Sequence, residues 1–159
     1  MRLFTLIVCC LPLWATAQTY HNQLSAAAKE HILDDPFTVV SGTEAIPPNV
    51  KQAFSTVTGE SSFELANPGQ KYRATDIVDD RKFPLRRLIF AGVKADKWFI
   101  HYERGGRGHG YYVLVFKVDP EGRIQFLWGG AGLHRAENVG QLRKLVAGGQ
   151  FSDHLNYYW

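Results

Sequence analysis

The strongest constraint on the fold lies between residues 71 and 129. Runs rich in Val, Ile, Phe, Tyr and Trp follow one another there, separated by glycine or turn residues. The gaps between most of them are too short for the crossover that a parallel pair requires, so neighbouring runs must pair antiparallel. The spacing predicts strands at about 71–78, 86–93, 97–104, 109–118 and 123–129. Asp119-Pro120-Glu121-Gly122 is the clearest hairpin signal: a type I turn followed by glycine in the left-handed region.

Two amphipathic helices flank this region. Pro48 fits a first helical turn, Val50, Ala53, Phe54 and Val57 form one apolar stripe, and Gly59 stops the helix. Asn138 can cap a second helix running to Val146, with Gln141 reaching back and Val139, Leu142, Leu145 and Val146 on its apolar face. Ser25 to Ile32 suggests a short helix in an N-terminal arm at 18–45, and Phe37 to Val40 a short strand. Asn67-Pro68-Gly69-Gln70 is a turn. The aromatic tail (Phe151, Tyr157, Tyr158, Trp159) is expected to dock on a single domain at 46–159.

Period-two alternation assigns side chains to faces. Pairing Arg104 with His109, Phe99 with Leu114 and Phe116 with Phe126 gathers Leu88, Phe90, Phe99, Leu114, Phe116, Val118, Ile124, Phe126 and Trp128 on one face. Trp98, Tyr102, Arg104, His109 and Tyr111 fall on the other, more mixed face. The expected fold is α+β: an antiparallel meander of about five strands with two amphipathic helices packed on the apolar face. Such layouts serve unrelated activities, so the fold alone assigns none.

Met1 to Ala17 reads as a secretory signal peptide: Arg2, then an apolar stretch to Trp14, then Ala15-Thr16-Ala17 as a small-x-small cleavage site. The apolar run is shorter than a membrane span, which takes about 20 residues. Val8 before Cys9 is too large for a lipoprotein signal. Cleavage would leave 142 residues, enough for one core. Both cysteines, Cys9 and Cys10, would leave with the leader, so no disulfide or thiol chemistry is expected. No Asn-x-Ser/Thr acceptor occurs. A secreted or periplasmic location is the expectation, without a stable membrane anchor after cleavage. Loss of Arg2 lowers the formal net charge from +3 to +2. That balance gives no ground for bulk binding to nucleic acid or a membrane surface, and nucleic acid is not an expected partner.

The meander brings two glycine-rich segments to one end, Gly105-Gly106-Arg107-Gly108-His109-Gly110 and Gly129-Gly130-Ala131-Gly132. Arg86, Arg87, Arg104, His134 and Arg135 fall near them. Glycine exposes backbone N–H groups, and arginine forks match carboxylates and phosphates. The candidate ligand-binding residues are therefore Arg87, Arg104, Gly105, Gly106, Arg107, Gly108, His109, Gly130, His134 and Arg135. The expectation is a non-catalytic module binding an anionic ligand (glycan, peptide carboxylate or phosphate) of the cell envelope, or another envelope protein. The glycine segments match no nucleotide loop, which would join a strand to a helix.

His101 and Glu103 are the candidates for an alternative, an envelope hydrolase with an acid–base pair. No nucleophile clearly completes it; Ser152 and Thr75 stand only by default. The competing expectation is structural, with His101 bonded to Tyr112 and Glu103 to Arg87, Arg107 or Arg135. His101 and Glu103 do not define a metal site, and no metal or cofactor is expected. A further alternative is a protein-interaction or inhibitor module using Trp98, Tyr102 and Tyr111 as an aromatic surface.

Overall fold

The computed structural model describes residues 24–75 and 82–153. Its centre is an open five-stranded sheet, antiparallel throughout, with the strands side by side in chain order. The strands are β1 (Thr38–Val40), β2 (Arg86–Lys94), β3 (Lys97–Arg104), β4 (Gly110–Val118) and β5 (Ile124–Gly132). The helices are α1 (Ala26–Glu30), α2 (Pro48–Val57) and α3 (Val139–Ala147), with one turn of 3-10 helix at Thr43–Ala45. The α+β class and the meander agree with the sequence. The fifth strand does not come from 71–78: residues 71–75 form no strand, and 76–78 lie outside the described residues. It is Thr38–Val40, paired with Ala91–Val93.

Local signals act where the sequence places them. Ser25 Oγ accepts the Ala28 N–H and starts α1, and Asn138 Oδ1 accepts the Gln141 N–H and starts α3. The Gln141 side chain reaches back to the Glu137 N–H at 2.8 Å. At the β4–β5 hairpin the Gly122 N–H bonds the Asp119 carbonyl, and the Asp119 N–H bonds the Arg123 carbonyl. Gly122 has φ 80°, which a side chain would resist.

The helices occupy opposite faces, a correction to the expectation that both pack on one. Val50, Phe54 and Val57 of α2 cluster with Leu88, Ile100, Tyr102, Tyr112, Leu114, Phe116 and Phe126. Leu142 and Val146 of α3 cluster with Phe90, Phe99, Val113, Val115, Trp128, Phe151, Ile32 and Leu33. Each such large side chain removed from water contributes about 1.5–3 kcal/mol. Both faces are thus core, which is why Leu88–Ala91 and Val113–Phe116 read as unbroken apolar runs.

Three local features split the expected single face. Arg104 pairs with Gly110 rather than His109, so the β3–β4 loop holds one more residue and β4 presents its other side. A bulge between Leu88 and Phe90 sends these two residues to different faces. A second irregularity, at Val115 and Phe116, does the same to Phe126 and Trp128.

The chain on either side of the sheet closes the α3 face. Lys29 bonds the Phe151 carbonyl (3.1 Å) and Asp153 (2.9 Å), and Arg143 donates to the carbonyls of Leu33 and Asp35. Phe151 is buried, and Ser152 exchanges two backbone hydrogen bonds with Ala131 on the edge of β5. Tyr157, Tyr158 and Trp159, like the expected leader segment at 1–17, lie outside the described residues.

Candidate functional site

Pairing of Tyr111 with Gly132 and of Arg104 with Gly110 places the β3–β4 loop and the end of β5 at the same end of the sheet. A cleft of ≈ 480 Å³ opens there. Gly108, His109 and Gly110 line it from one side, Ala131 to His134 from a second, and Gln150 and Ser152 from a third, with Tyr112 among them. The two glycine-rich segments therefore share a rim. Leu133 stands at the rim 81% exposed, one of two large hydrophobic side chains exposed among the described residues. The cleft thus combines apolar walls (Tyr112, Ala131, Leu133) with two imidazoles and the backbone of glycine-rich chain.

One wall is set by Glu103. The residue is 4% exposed and its carboxyl is fully engaged: Oε1 accepts from Arg87 Nε at 2.7 Å, while Oε2 accepts from the Tyr72 hydroxyl at 2.8 Å and from His109 Nε2 at 3.2 Å. Burial pushes this carboxyl up, but hydrogen bonds from Arg87, Tyr72 and His109 outweigh it and hold the group below its usual range. Tyr72 is driven the other way, to about 12, by burial and by its bond to the Glu103 carboxylate. The Arg87 guanidinium lies 4.3 Å from the centre of the Tyr72 ring. The bond from Nε2 to Glu103 fixes the orientation of the His109 ring. Tyr111 packs edge-on against that ring at 5.1 Å.

His101 does something different. It is buried, its Nδ1–H donates to the Tyr112 carbonyl at 2.8 Å, and its Nε2 accepts the Ala136 N–H at 3.3 Å. Burial lowers its pKa to about 4, so the ring is neutral near pH 7. Both nitrogens are used within the fold and neither reaches solvent. His101 is therefore removed as an acid–base candidate, and Glu103 pairs with His109 instead.

The remaining candidates divide by position. Gly108, His109 and His134 line the cleft. Arg87 is held by Glu103 and by the Gln70 carbonyl (3.3 Å). Arg135 pairs with Glu137 at 2.9 Å, and Arg107 is exposed on the loop. Arg104 is half-buried opposite Arg86, which is itself bonded to Glu60. None of these arginines lines the cleft; its basic lining side chains are the imidazoles of His109 and His134. Gly105 and Gly130 are packing positions: a Cβ would lie 1.9 Å from the Arg73 carbonyl in the first and 2.6 Å from the Trp128 ring in the second. Gly106 turns the loop at φ 86°.

Tyr72 was absent from the sequence candidates, because nothing in a lone tyrosine on an irregular segment marks it as the partner of a strand carboxylate. Gln150, like Ser152, reaches the cleft only because the tail pairs with β5. The aromatic platform fails on burial: Trp98 and Tyr102 lie in the α2-side core. Among the described residues no three His, Cys, Asp or Glu side chains converge as metal ligands, and no helix is long and apolar enough to cross a membrane. Comparison with protein-family models, with curated proteins and with solved structures finds no match to this chain or its fold.

Proposed function

We propose that this protein is an exported binding module whose glycine–histidine cleft takes a small ligand with an apolar body and an anionic end, of the peptide-carboxylate class. The observation that carries the reading is the shared lining: His109 and His134, from segments distant in sequence, border one cleft whose other lining residues are glycines, Tyr112, Ala131, Leu133, Gln150 and Ser152. The His134 imidazole and the backbone N–H donors of the glycine-rich segments suit a carboxylate, and the His109 ring borders the same space. The apolar walls suit the body behind it. Glu103 acts as a positioning residue, because it fixes the His109 ring from behind through Nε2. Export rests on the leader read at 1–17 and belongs to the same proposal.

The test is an equilibrium titration with N-acetyl dipeptides. Saturable binding that weakens about tenfold in His134→Ala and in His109→Ala, with unchanged Tm, supports the reading. Binding that survives both substitutions, or no binding by any N-acetyl dipeptide at millimolar concentration, rejects it.

A hydrolytic reading keeps one supporting observation: the Glu103–His109 pair borders the cleft that Ser152 also lines. In that reading Ser152 is the nucleophile and His109 its base. A fluorophosphonate probe would label Ser152 in the native protein and not in His109→Ala. Absence of labelling leaves the binding reading alone.

A further inference from the structure

A second cavity, ≈ 450 Å³, is lined by two of Glu103's hydrogen-bond partners, Tyr72 and Arg87. Lys71, Tyr72, Arg73 and Thr75 from the segment before the sheet line it, together with Arg87 of β2. We propose that this cavity is a binding site for a phosphate group, as the free ion or as a phosphate monoester. The inference is independent of the reading of the glycine–histidine cleft.

Three cations border one space, and among the described residues their charge is poorly matched. Of the three, Glu103 bonds Arg87 alone, and both its oxygens are engaged, leaving it little capacity to neutralise more than Arg87. Lys71 and Arg73 form no ion pair among the described residues. Arg73 Nε is buried without a hydrogen-bond partner, which costs free energy unless a ligand supplies an acceptor. Arg87 gives Nε to Glu103 and one terminal nitrogen to the Gln70 carbonyl, and its other terminal nitrogen has no partner among the described residues. Its position is fixed in advance by the Tyr72 ring at 4.3 Å, so little ordering remains when an anion arrives. The Thr75 hydroxyl adds a hydrogen-bond donor at the same lining. A doubly charged, compact oxyanion fits two guanidinium groups and an ammonium better than a single carboxylate does.

The arrangement also explains a local oddity. An orphaned guanidinium nitrogen is a liability in a purely structural residue, and the backbone of Arg73 already holds its segment by donating to the Pro84 carbonyl at 2.9 Å. Removing the side chain should therefore leave the fold at least as stable as before.

The experiment is an NMR titration of the full chain with inorganic phosphate and, separately, with glycerol 3-phosphate, at constant ionic strength. Expected are saturable amide shifts at 71–75 and 87 and an affinity at least tenfold lower in the Lys71→Ala, Arg73→Ala double variant, whose Tm is equal to or above that of the native chain. Tighter binding of glycerol 3-phosphate identifies a monoester as the source; equal or weaker binding identifies the free ion. Shifts that fail to saturate with both probes overturn the proposal, as does an unchanged affinity in the double variant.

Discussion

Glu103 Oε2 and His109 Nε2 lie 3.2 Å apart, and that bond ties the interior of the sheet to the rim of the cleft. The carboxyl is buried in β3, whereas the imidazole is 41% exposed on the loop before β4. One side chain thus holds a ring on the cleft wall from behind, and does so with a carboxylate that also anchors Arg87 and Tyr72.

Replacing Glu103 with Gln keeps the shape and removes the charge. Arg87 then loses its ion-pair partner, and the fold is expected to lose about 1–3 kcal/mol at pH 7. The Glu103 carboxyl has a lowered pKa in the folded state, so its contribution is complete above the unfolded pKa and disappears as pH falls through the folded one. Urea denaturation at pH 7 and at pH 3 checks this: the gap between native protein and Glu103→Gln narrows at the lower pH.

His101 gives a pH dependence in a different window. It binds a proton near pH 6.5 when unfolded and only near pH 4 when folded. Between those values the unfolded state holds more protons, so stability rises with pH and falls on acidification. The loss from this group reaches at most about 3 kcal/mol by pH 4. Denaturation midpoints between pH 7 and pH 4 measure it, and His101→Gln is expected to flatten the slope while being less stable at pH 7.

The glycines of the site region are not equivalent. Gly130→Ala drives a methyl group into the Trp128 ring and toward Phe151, and is expected to cost about 1–3 kcal/mol. At Gly108 nothing lies within 4 Å of an added Cβ, so Gly108→Ala is expected to change stability by no more than about 0.5 kcal/mol. Thermal melts of the two variants side by side measure this difference.

Much of the fold was legible in the sequence, for reasons that can be named. α2 begins and ends where Pro48 and the residues before Gly59 require, α3 where Asn138 and Gly148 do, and the Asp119–Gly122 turn fixes the β4–β5 hairpin. Side-chain faces were less legible. Alternation reports a face only while the register holds, and the bulges beside Leu88 and Phe116, with the extra residue in the 105–109 loop, each reset it. That reset moved His109 from the face opposite Glu103 to within hydrogen-bond distance of it. The cleft was visible as two glycine-rich segments meeting at one end. Its third wall came from a tail whose docking was expected but whose partner, Ala131, no local signal specified.

The most direct test of the cleft is amide shift mapping with small anionic, neutral and cationic fragments of matched size. Carboxylates with an apolar body are expected to shift Gly108–Gly110, Gly132–His134 and Gln150–Ser152 together, and neutral and cationic analogues are not. Carboxylate shifts confined to other parts of the sheet, or equal responses to all three charge classes, would contradict it.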